Sequence, residues 1–131
     1  MFDFEKLDVY QVVREQNVKV IQYLKTVNDI DELLKDQWKK SSLSSVLNLA
    51  EGTGRKNTDE KKDFLTAARG NIFEAATILQ TLKDLGTVDE ITYLDFYEGY
   101  EKASKMLLGM YRSYSKRDQQ QLIPQEDNFN L

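Results

Sequence analysis

Hydrophobic residues recur along most of this chain at alternating steps of three and four positions, the period of an amphipathic helix. Short polar or glycine-containing breaks divide the pattern into four segments, which predict helices at about 5–28, 31–51, 58–85 and 88–117. No segment shows the two-residue period of a strand. Short connections make successive helices antiparallel. The pattern therefore predicts an all-α fold, an antiparallel up-down-up-down four-helix bundle.

Residues that favour helix ends stand at the predicted boundaries. Asp31 opens the second helix, where a carboxylate interacts favourably with the positive end of the helix dipole. Asn57 and Thr87 are each followed three residues later by a glutamate, the spacing of a capping box, and predict the starts of the third and fourth helices. Gly52 and Gly86 are predicted to end the second and third helices in the left-handed conformation.

The fourth predicted helix carries two apolar stripes. The first is a heptad seam that suits packing inside the bundle: Tyr93, Phe96, Tyr100, Ala103, Leu107, Met110 and Tyr114. The second stripe lies about 100° around the helix and consists of Leu94, Tyr97, Leu108 and Tyr111. Two interpretations of this arrangement are open. Either both stripes pack into one broad core of the same chain, or the second stripe is buried between copies of the chain. We predict the latter, a homo-oligomer, because tyrosine suits an interface.

A polar stripe on the second predicted helix has the spacing of a buried seam. Its members step by four, three, four and three residues: Gln37, Ser41, Ser44, Asn48 and Glu51. Asn71 and Glu74 form a similar pair on the third helix. Two interpretations stay open. The stripe is an exposed face, or it belongs to a hydrogen-bonded network between helices that links Asn48 to Glu74.

The composition argues against catalysis. The chain contains no cysteine and no histidine, so it lacks a thiol nucleophile, the most common general base and the most common metal ligand. Dimetal sites in helical bundles use glutamates together with Glu-x-x-His pairs. We predict no catalytic residue, no metal site, no cofactor and no small-molecule substrate, and therefore a protein that is not an enzyme.

Charge and hydropathy bear on location and partners. The first residues resemble no signal peptide, and no stretch approaches the apolar length of a membrane span, so a cytoplasmic protein without membrane contact is expected. The net charge of −4 argues against attraction of the whole surface to nucleic acid. Lys39, Lys40, Arg55 and Lys56 are the candidate contacts if nucleic acid is bound. Residues 118–131 are polar and hold the only proline, and are predicted to form a mobile tail after a bundle domain at 1–117.

The segment from Gln37 to Gly52, followed by Gly54-Arg55, resembles the signature of the 23S rRNA intervening-sequence protein family, also called the four-helix bundle protein family. Phe64-Leu65 and Ala68-Arg69-Gly70 also match, and the resemblance covers about residues 2–115. The residues that carry the polar family motif are Gln37, Ser44, Asn48, Glu51, Gly52, Arg55 and Glu74.

The resemblance implies a bacterial-type four-helix bundle that often assembles as a ring-shaped homopentamer and has no catalytic residues. Some members are encoded within inserts in 23S rRNA genes, and related members are retroelement accessory proteins that contact nucleic acid. In this chain Val46 stands where proline is common, and Lys39 and Lys40 replace arginines. We expect a non-catalytic homo-oligomeric scaffold that binds a protein or RNA. The alternative is an RNA- or DNA-binding accessory protein, ribosome-associated or of the retroelement type.

Overall fold

Four helices form the described part of the protein. The computed structural model describes the backbone of residues 1–130 and the side chains of residues 1–117. The helices are α1 (Asp8–Thr26), α2 (Glu32–Thr53), α3 (Thr58–Asp84) and α4 (Glu90–Asn130). No strand occurs in this backbone, which confirms the all-α prediction. Over the residues described, none of the helices combines the length and the apolar character that crossing a membrane requires.

The helices pack as a closed ring of neighbours. Each helix contacts the next one in the chain, and α1 also contacts α4, so α2 and α4 occupy opposite corners of the bundle. Between α2 and α3, Ser41 pairs with Glu74 and Asn48 pairs with Asn71. As the residue number rises along α2, the number of the bonded residue on α3 falls, so these two helices are antiparallel. The bundle architecture agrees with the sequence prediction.

Three predicted helix ends are confirmed by their hydrogen bonds or backbone angles. The Asp31 side chain accepts hydrogen bonds from the first backbone amides of α2. Asn57 does the same for α3, accepting from the amides of Asp59 and Glu60 at 2.8 and 3.2 Å. Gly86 follows α3 with a φ of 74°, a left-handed conformation that glycine adopts without a steric cost.

The start of α4 differs from the prediction. Thr87 does not cap this helix, because its hydroxyl donates to the carbonyl of Leu82. Asp89 provides the cap instead, accepting a hydrogen bond from the Thr92 backbone amide at 2.8 Å. Hydrogen bonds from Thr92 also hold the pKa of Asp89 below its usual value. The helix therefore begins at Glu90 rather than at residue 88.

Both ends of the chain also differ from the predicted bounds. The first helix, predicted at 5–28, is divided into a 3-10 turn at Asp3–Lys6 and α1, because Leu7 between them is extended. The fourth helix extends past residue 117 to Asn130. The mobile tail predicted at 118–131 lies outside the residues whose side chains are described.

Trp38 occupies the centre of the core and is fully buried. Its ring packs edge-on against Phe96 and Tyr23, with centroid distances of 5.2 and 6.1 Å. The indole N–H donates a 2.6 Å hydrogen bond to the hydroxyl of Tyr100, which joins α2 to α4 across the diagonal of the bundle. Burial raises the pKa of Tyr100 above its ordinary value, with the bond from Trp38 acting in the opposite direction.

The core-facing side of α2 is rich in serine. Ser41, Ser42 and Ser45 are at most 2% exposed, and the Ser45 hydroxyl donates to the Ser42 carbonyl. Leu33, Leu43 and Leu47 also fit the helical period of apolar residues in this segment, but they are 74%, 46% and 56% exposed. The small serine side chains let neighbouring helices pack closely against this side of α2. The three leucines lie on the outer side of the helix.

A buried glutamine sets the contact between α1 and α4. Gln16 is 5% exposed and donates a 2.7 Å hydrogen bond to the backbone carbonyl of Phe96. A Cβ atom added at Gly99 would lie 2.6 Å from Gln16 Cδ. Because Gln16 is enclosed and hydrogen-bonded, it cannot move aside freely.

Gly99→Ala should lower the free energy of unfolding by about 1–3 kcal/mol, the range for losing a buried hydrogen bond or overpacking a core. Gly109→Ala is the matched control on the same helix, since nothing lies within 4 Å of its added Cβ. That change should stabilise the protein by up to about 1 kcal/mol through helix propensity. Denaturant unfolding of both variants provides the measurement, and equal effects at the two glycines would contradict the packing explanation.

Candidate functional site

The second half of the family motif forms a compact corner between α2 and α3. Glu51 and Arg55 make an ion pair of 2.7 Å, and the Arg55 guanidinium lies over the ring of Phe64 at 4.8 Å. The Lys61 ammonium donates to the carbonyl of Thr53, the last residue of α2. These contacts hold the entry to α3 against the end of α2.

Gly52 has a different role from the predicted one. It does not end α2 in a left-handed conformation, because α2 continues to Thr53 and is capped by Gly54 at φ −79°. A Cβ at Gly52 would lie 2.6 Å from the Cβ of Phe64. This atom is attached directly to the backbone of α3 and cannot rotate away. Gly52 therefore permits the close approach of α2 and α3 at the corner.

The polar stripe is divided between the interface of α2 with α3 and the solvent. The Ser41 hydroxyl donates to Glu74 at 3.1 Å, and the half-buried Asn48 donates to Asn71 at 2.8 Å. The predicted link from Asn48 to Glu74 is therefore wrong, because each residue has another partner. A network between helices does exist, formed by two separate pairs one helical turn apart on α3.

The other members of the motif lie nearer to solvent. Gln37, Glu51 and Glu74 are exposed and Ser44 is half-buried. The network interpretation implies that Glu51 and Glu74 are at least partly buried, and this is wrong because both are exposed. Glu51 pairs with Arg55 at the corner and not with another helix. Sequence reasoning missed the buried Ser42 and Ser45, which share the inner side of α2 with Trp38, Val46 and Leu49.

The four candidate nucleic-acid contacts do not converge. Lys39 and Lys40 lie near the middle of α2, whereas Arg55 and Lys56 follow its C-terminal end. At the standard rise the two pairs are about 20–25 Å apart. Arg55 is also held by Glu51 and Phe64. These side chains therefore form two small basic sites and not one patch.

Acidic residues gather at one end of the bundle. Both the α1–α2 and α3–α4 connections lie there and supply Asp29, Asp31, Glu32, Asp84, Asp89 and Glu90. Burial and, after it, the charges of Asp89 and Asp29 raise the pKa of Tyr23 above its ordinary value. The corner between α2 and α3 lies at the opposite end, where residues 51–63 hold four acids and four cations.

An open apolar groove runs between α3 and α4. One part, of about 290 Å³, is lined by residues that include Leu65, Arg69, Phe73, Leu108 and Tyr111. An adjoining part, of about 470 Å³, shares Arg69 and Phe73 and includes Tyr97 and Ser104. Three of the four predicted interface residues, Tyr97, Leu108 and Tyr111, line this groove. The fourth, Leu94, lies one helical turn before Tyr97 on α4, and the α3–α4 surface is defined here as Phe73, Leu94, Tyr97, Leu108 and Tyr111.

Residues of the second stripe differ in how much they serve the protein's own core. Tyr97 and Tyr111 are half-buried and pack against the core. For these two residues, the interpretation that both stripes serve one core is partly correct. Leu94 remains 44% exposed, and Phe73 on α3, which the sequence analysis did not single out as an interface residue, is 49% exposed. The Arg69 guanidinium covers part of Phe73 at 4.8 Å while donating to Ser104.

Within the residues the structure describes, no three His, Cys, Asp or Glu side chains are placed to hold a metal ion together. The α3–α4 surface offers aromatic and aliphatic groups with cations at its edge, an arrangement that suits a macromolecular partner.

Comparison with known proteins agrees with this architecture. A sequence profile described as 23S rRNA-intervening sequence protein matches residues 5–109. A crystal structure of a protein of unknown function from the S23 ribosomal protein family of Bacteroides thetaiotaomicron is similar, with a TM-score of 0.75 and 18% identity. The match covers 79% of this chain and 97% of that one. No curated protein matches the sequence.

The Asn48–Asn71 pair should contribute measurably to stability. Asn48→Ala and Asn71→Ala should each lower the free energy of unfolding by about 1–3 kcal/mol, because each leaves a half-buried amide without its partner. The double variant should cost less than the two single changes together. Gln80→Ala is the control, since Gln80 is exposed on the same helix as Asn71 and the change should alter stability by less than about 0.5 kcal/mol. Additive costs in denaturant unfolding would show that the two asparagines are not coupled.

Proposed function

The chain belongs to the 23S rRNA-intervening sequence protein family, and we propose that it is a non-catalytic, homo-oligomeric helical scaffold that binds a partner macromolecule in the cytoplasm. The observation that carries this proposal is the α3–α4 surface. Phe73 and Leu94 are 49% and 44% exposed there, beside a groove lined by Leu108 and Tyr111. Contiguous apolar surface of this kind marks interaction sites on proteins.

A self-associating role explains why aromatic residues lie on this surface. Tyr97 and Tyr111 have rings that pack against the core and edges that line the groove. Tyrosine provides contact area with little loss of conformational freedom, while its hydroxyl binds water or a polar group at the rim. We take a second copy of the chain as the occupant and a pentameric ring as the assembly.

The absence of catalysis is part of the proposal and is supported by composition. Without cysteine or histidine in the chain, acid–base and nucleophilic chemistry would depend on carboxylates, lysine, serine or tyrosine. The buried hydroxyls of Ser45 and Tyr100 are already bound, respectively to a helix carbonyl and to Trp38. Their contacts are those of structural groups.

Nucleic-acid binding is the second candidate and is favoured by the distribution of charge. Three of the 22 acidic residues lie at 118–131, so residues 1–117 hold 19 acids against all 18 cations. Six of these acids cluster at one end of the bundle. The α2–α3 corner at the other end carries Arg55, Lys56, Lys61 and Lys62 together with Glu51, Asp59, Glu60 and Asp63, so it is neutral where the first end is acidic. Phosphate is repelled less at this corner than at the acidic end.

Assembly is tested by light scattering on the purified protein at micromolar concentration. The expected mass is about five times the 15.3 kDa of the monomer. Leu108→Glu or Tyr97→Glu should yield monomers that keep their helicity, because a buried unpaired charge opposes association. Val18→Glu is the matched control, since Val18 is 45% exposed on α1. A wild-type mass of one chain would refute the oligomeric scaffold.

Binding to generic RNA or DNA should be weak at physiological ionic strength and should weaken further as salt is added, since phosphate contacts release counterions. Lys56→Glu should reduce the steepness of this salt dependence, whereas Lys25→Glu, at the acidic end, should leave it unchanged. Fluorescence anisotropy with a random oligonucleotide at several salt concentrations provides the measurement. Tight, salt-resistant binding would instead favour the second candidate as the main function.

A further inference from the structure

The outward faces of α2 and α4 carry stripes with identical spacing. The α2 stripe consists of Leu33, Asp36, Lys40, Leu43, Leu47 and Glu51. The α4 stripe consists of Leu94, Tyr97, Glu101, Ser104, Leu108 and Arg112. In both, successive members are separated by three, four, three, four and four residues. Each set therefore follows one side of its helix with the period of a packed helical seam.

The two stripes are chemically complementary when α2 and α4 are aligned in parallel and each α2 residue is paired with the α4 residue whose number is 61 higher. At the two apolar levels the alignment places Leu33 beside Leu94 and Leu47 beside Leu108. All four of these leucines are exposed or line the α3–α4 groove. In this register, leucine therefore meets leucine at two levels that are 14 residues apart.

The polar levels match in charge and hydrogen bonding. Lys40 faces Glu101, and Glu51 faces Arg112 near Lys62, whose ammonium lies over Tyr111. Asp36 lies level with Tyr97, so its carboxylate can accept from the tyrosine hydroxyl. Leu43 lies level with Ser104 beside the exposed ring of Phe73. No level brings together two like charges, which would oppose association.

The two stripes cannot meet within one molecule. Helices α2 and α4 occupy opposite corners of the bundle, and the residues of the α2 stripe face away from its core, with Leu43 and Leu47 at 46% and 56% exposure. A contact between them therefore joins two copies through different surfaces. Each copy then has one free stripe of each kind, the condition for a ring or other head-to-tail assembly.

We propose that the α2 stripe of one copy docks in parallel on the α4 stripe of the next copy, beside the α3–α4 groove, with Leu47 placed against Leu108 and Lys40 against Glu101. The inference rests on the proposed homo-oligomeric function and specifies its interface as heterologous. It also gives a role to the three leucines of α2 that the fold leaves exposed.

Mixing two dissociated variants is the decisive test. Leu47→Glu damages only the α2 stripe and Leu108→Glu only the α4 stripe, so each alone should be monomeric by light scattering. Mixed in equal amounts, they should form a dimer of one chain of each kind, because one intact contact remains and cannot propagate. Leu33→Glu and Leu94→Glu should behave in the same way and replace the first pair if Leu108→Glu loses helicity.

The outcomes separate the inference from the proposed function. A monomeric wild-type protein would overturn both. An oligomeric wild type whose assembly survives Leu47→Glu, or a mixture that stays monomeric, would overturn the heterologous contact and leave the scaffold in place. Val18→Glu again serves as the control, because Val18 is equally exposed but lies on α1 outside both stripes.

Charge reversal tests the register. Lys40→Glu and Glu101→Lys should each weaken assembly at least tenfold in the dissociation constant at low salt, and the chain with both changes should recover most of the loss. Lys102→Glu is the matched control on α4, since Lys102 is exposed and lies off the stripe. Failure of the double variant to recover would exclude the 61-residue register.

Discussion

The hydrogen bond between Trp38 and Tyr100 is the contact around which the bundle is organised. It joins helices at opposite corners, and both partners are almost completely buried. A buried indole N–H needs an acceptor, since leaving it without one costs about 1–3 kcal/mol. The bond therefore restricts the position of α2 relative to α4 along the axis of the bundle. Tyr23 and Phe96 pack edge-on around it and extend the same restriction to α1.

The serine-rich inner side of α2 explains much of the molecule's surface. With Ser41, Ser42 and Ser45 inside, α2 approaches α3 closely, and the helix contributes less apolar area to the core than its leucine content suggests. The leucines are placed outside instead. The close packing of α2 and the exposed apolar stripe on its outer side are thus two consequences of one sequence pattern, and the second leads to the proposed contact between copies.

The family motif is explained largely by architecture. Gly52 allows Phe64 to approach, the Glu51–Arg55 pair braces the corner, and Asn48 pairs with Asn71 across the helices. These contacts give structural roles to Asn48, Glu51, Gly52 and Arg55. Partner binding is then expected on the surfaces that the motif leaves available, chiefly the outer sides of α2 and α4.

The sequence by itself determined the class of fold, the number of helices and three of their ends, because the 3.6-residue period, the caps at Asp31 and Asn57 and the glycine at position 86 are local signals. It also identified the second stripe on α4, which is a property of one helix. Only the tertiary structure decided which side of α2 faces inward, since Leu43 and Leu47 fit a helix-period pattern as well as the serines do. It also decided that Asn48 pairs with Asn71 and not with Glu74. These two positions on α3 are three residues apart and lie on the same side of the helix, so the pairing depends on the distance between α2 and α3. Local periodicity cannot supply that distance, which depends on the small side chains that meet where helices cross.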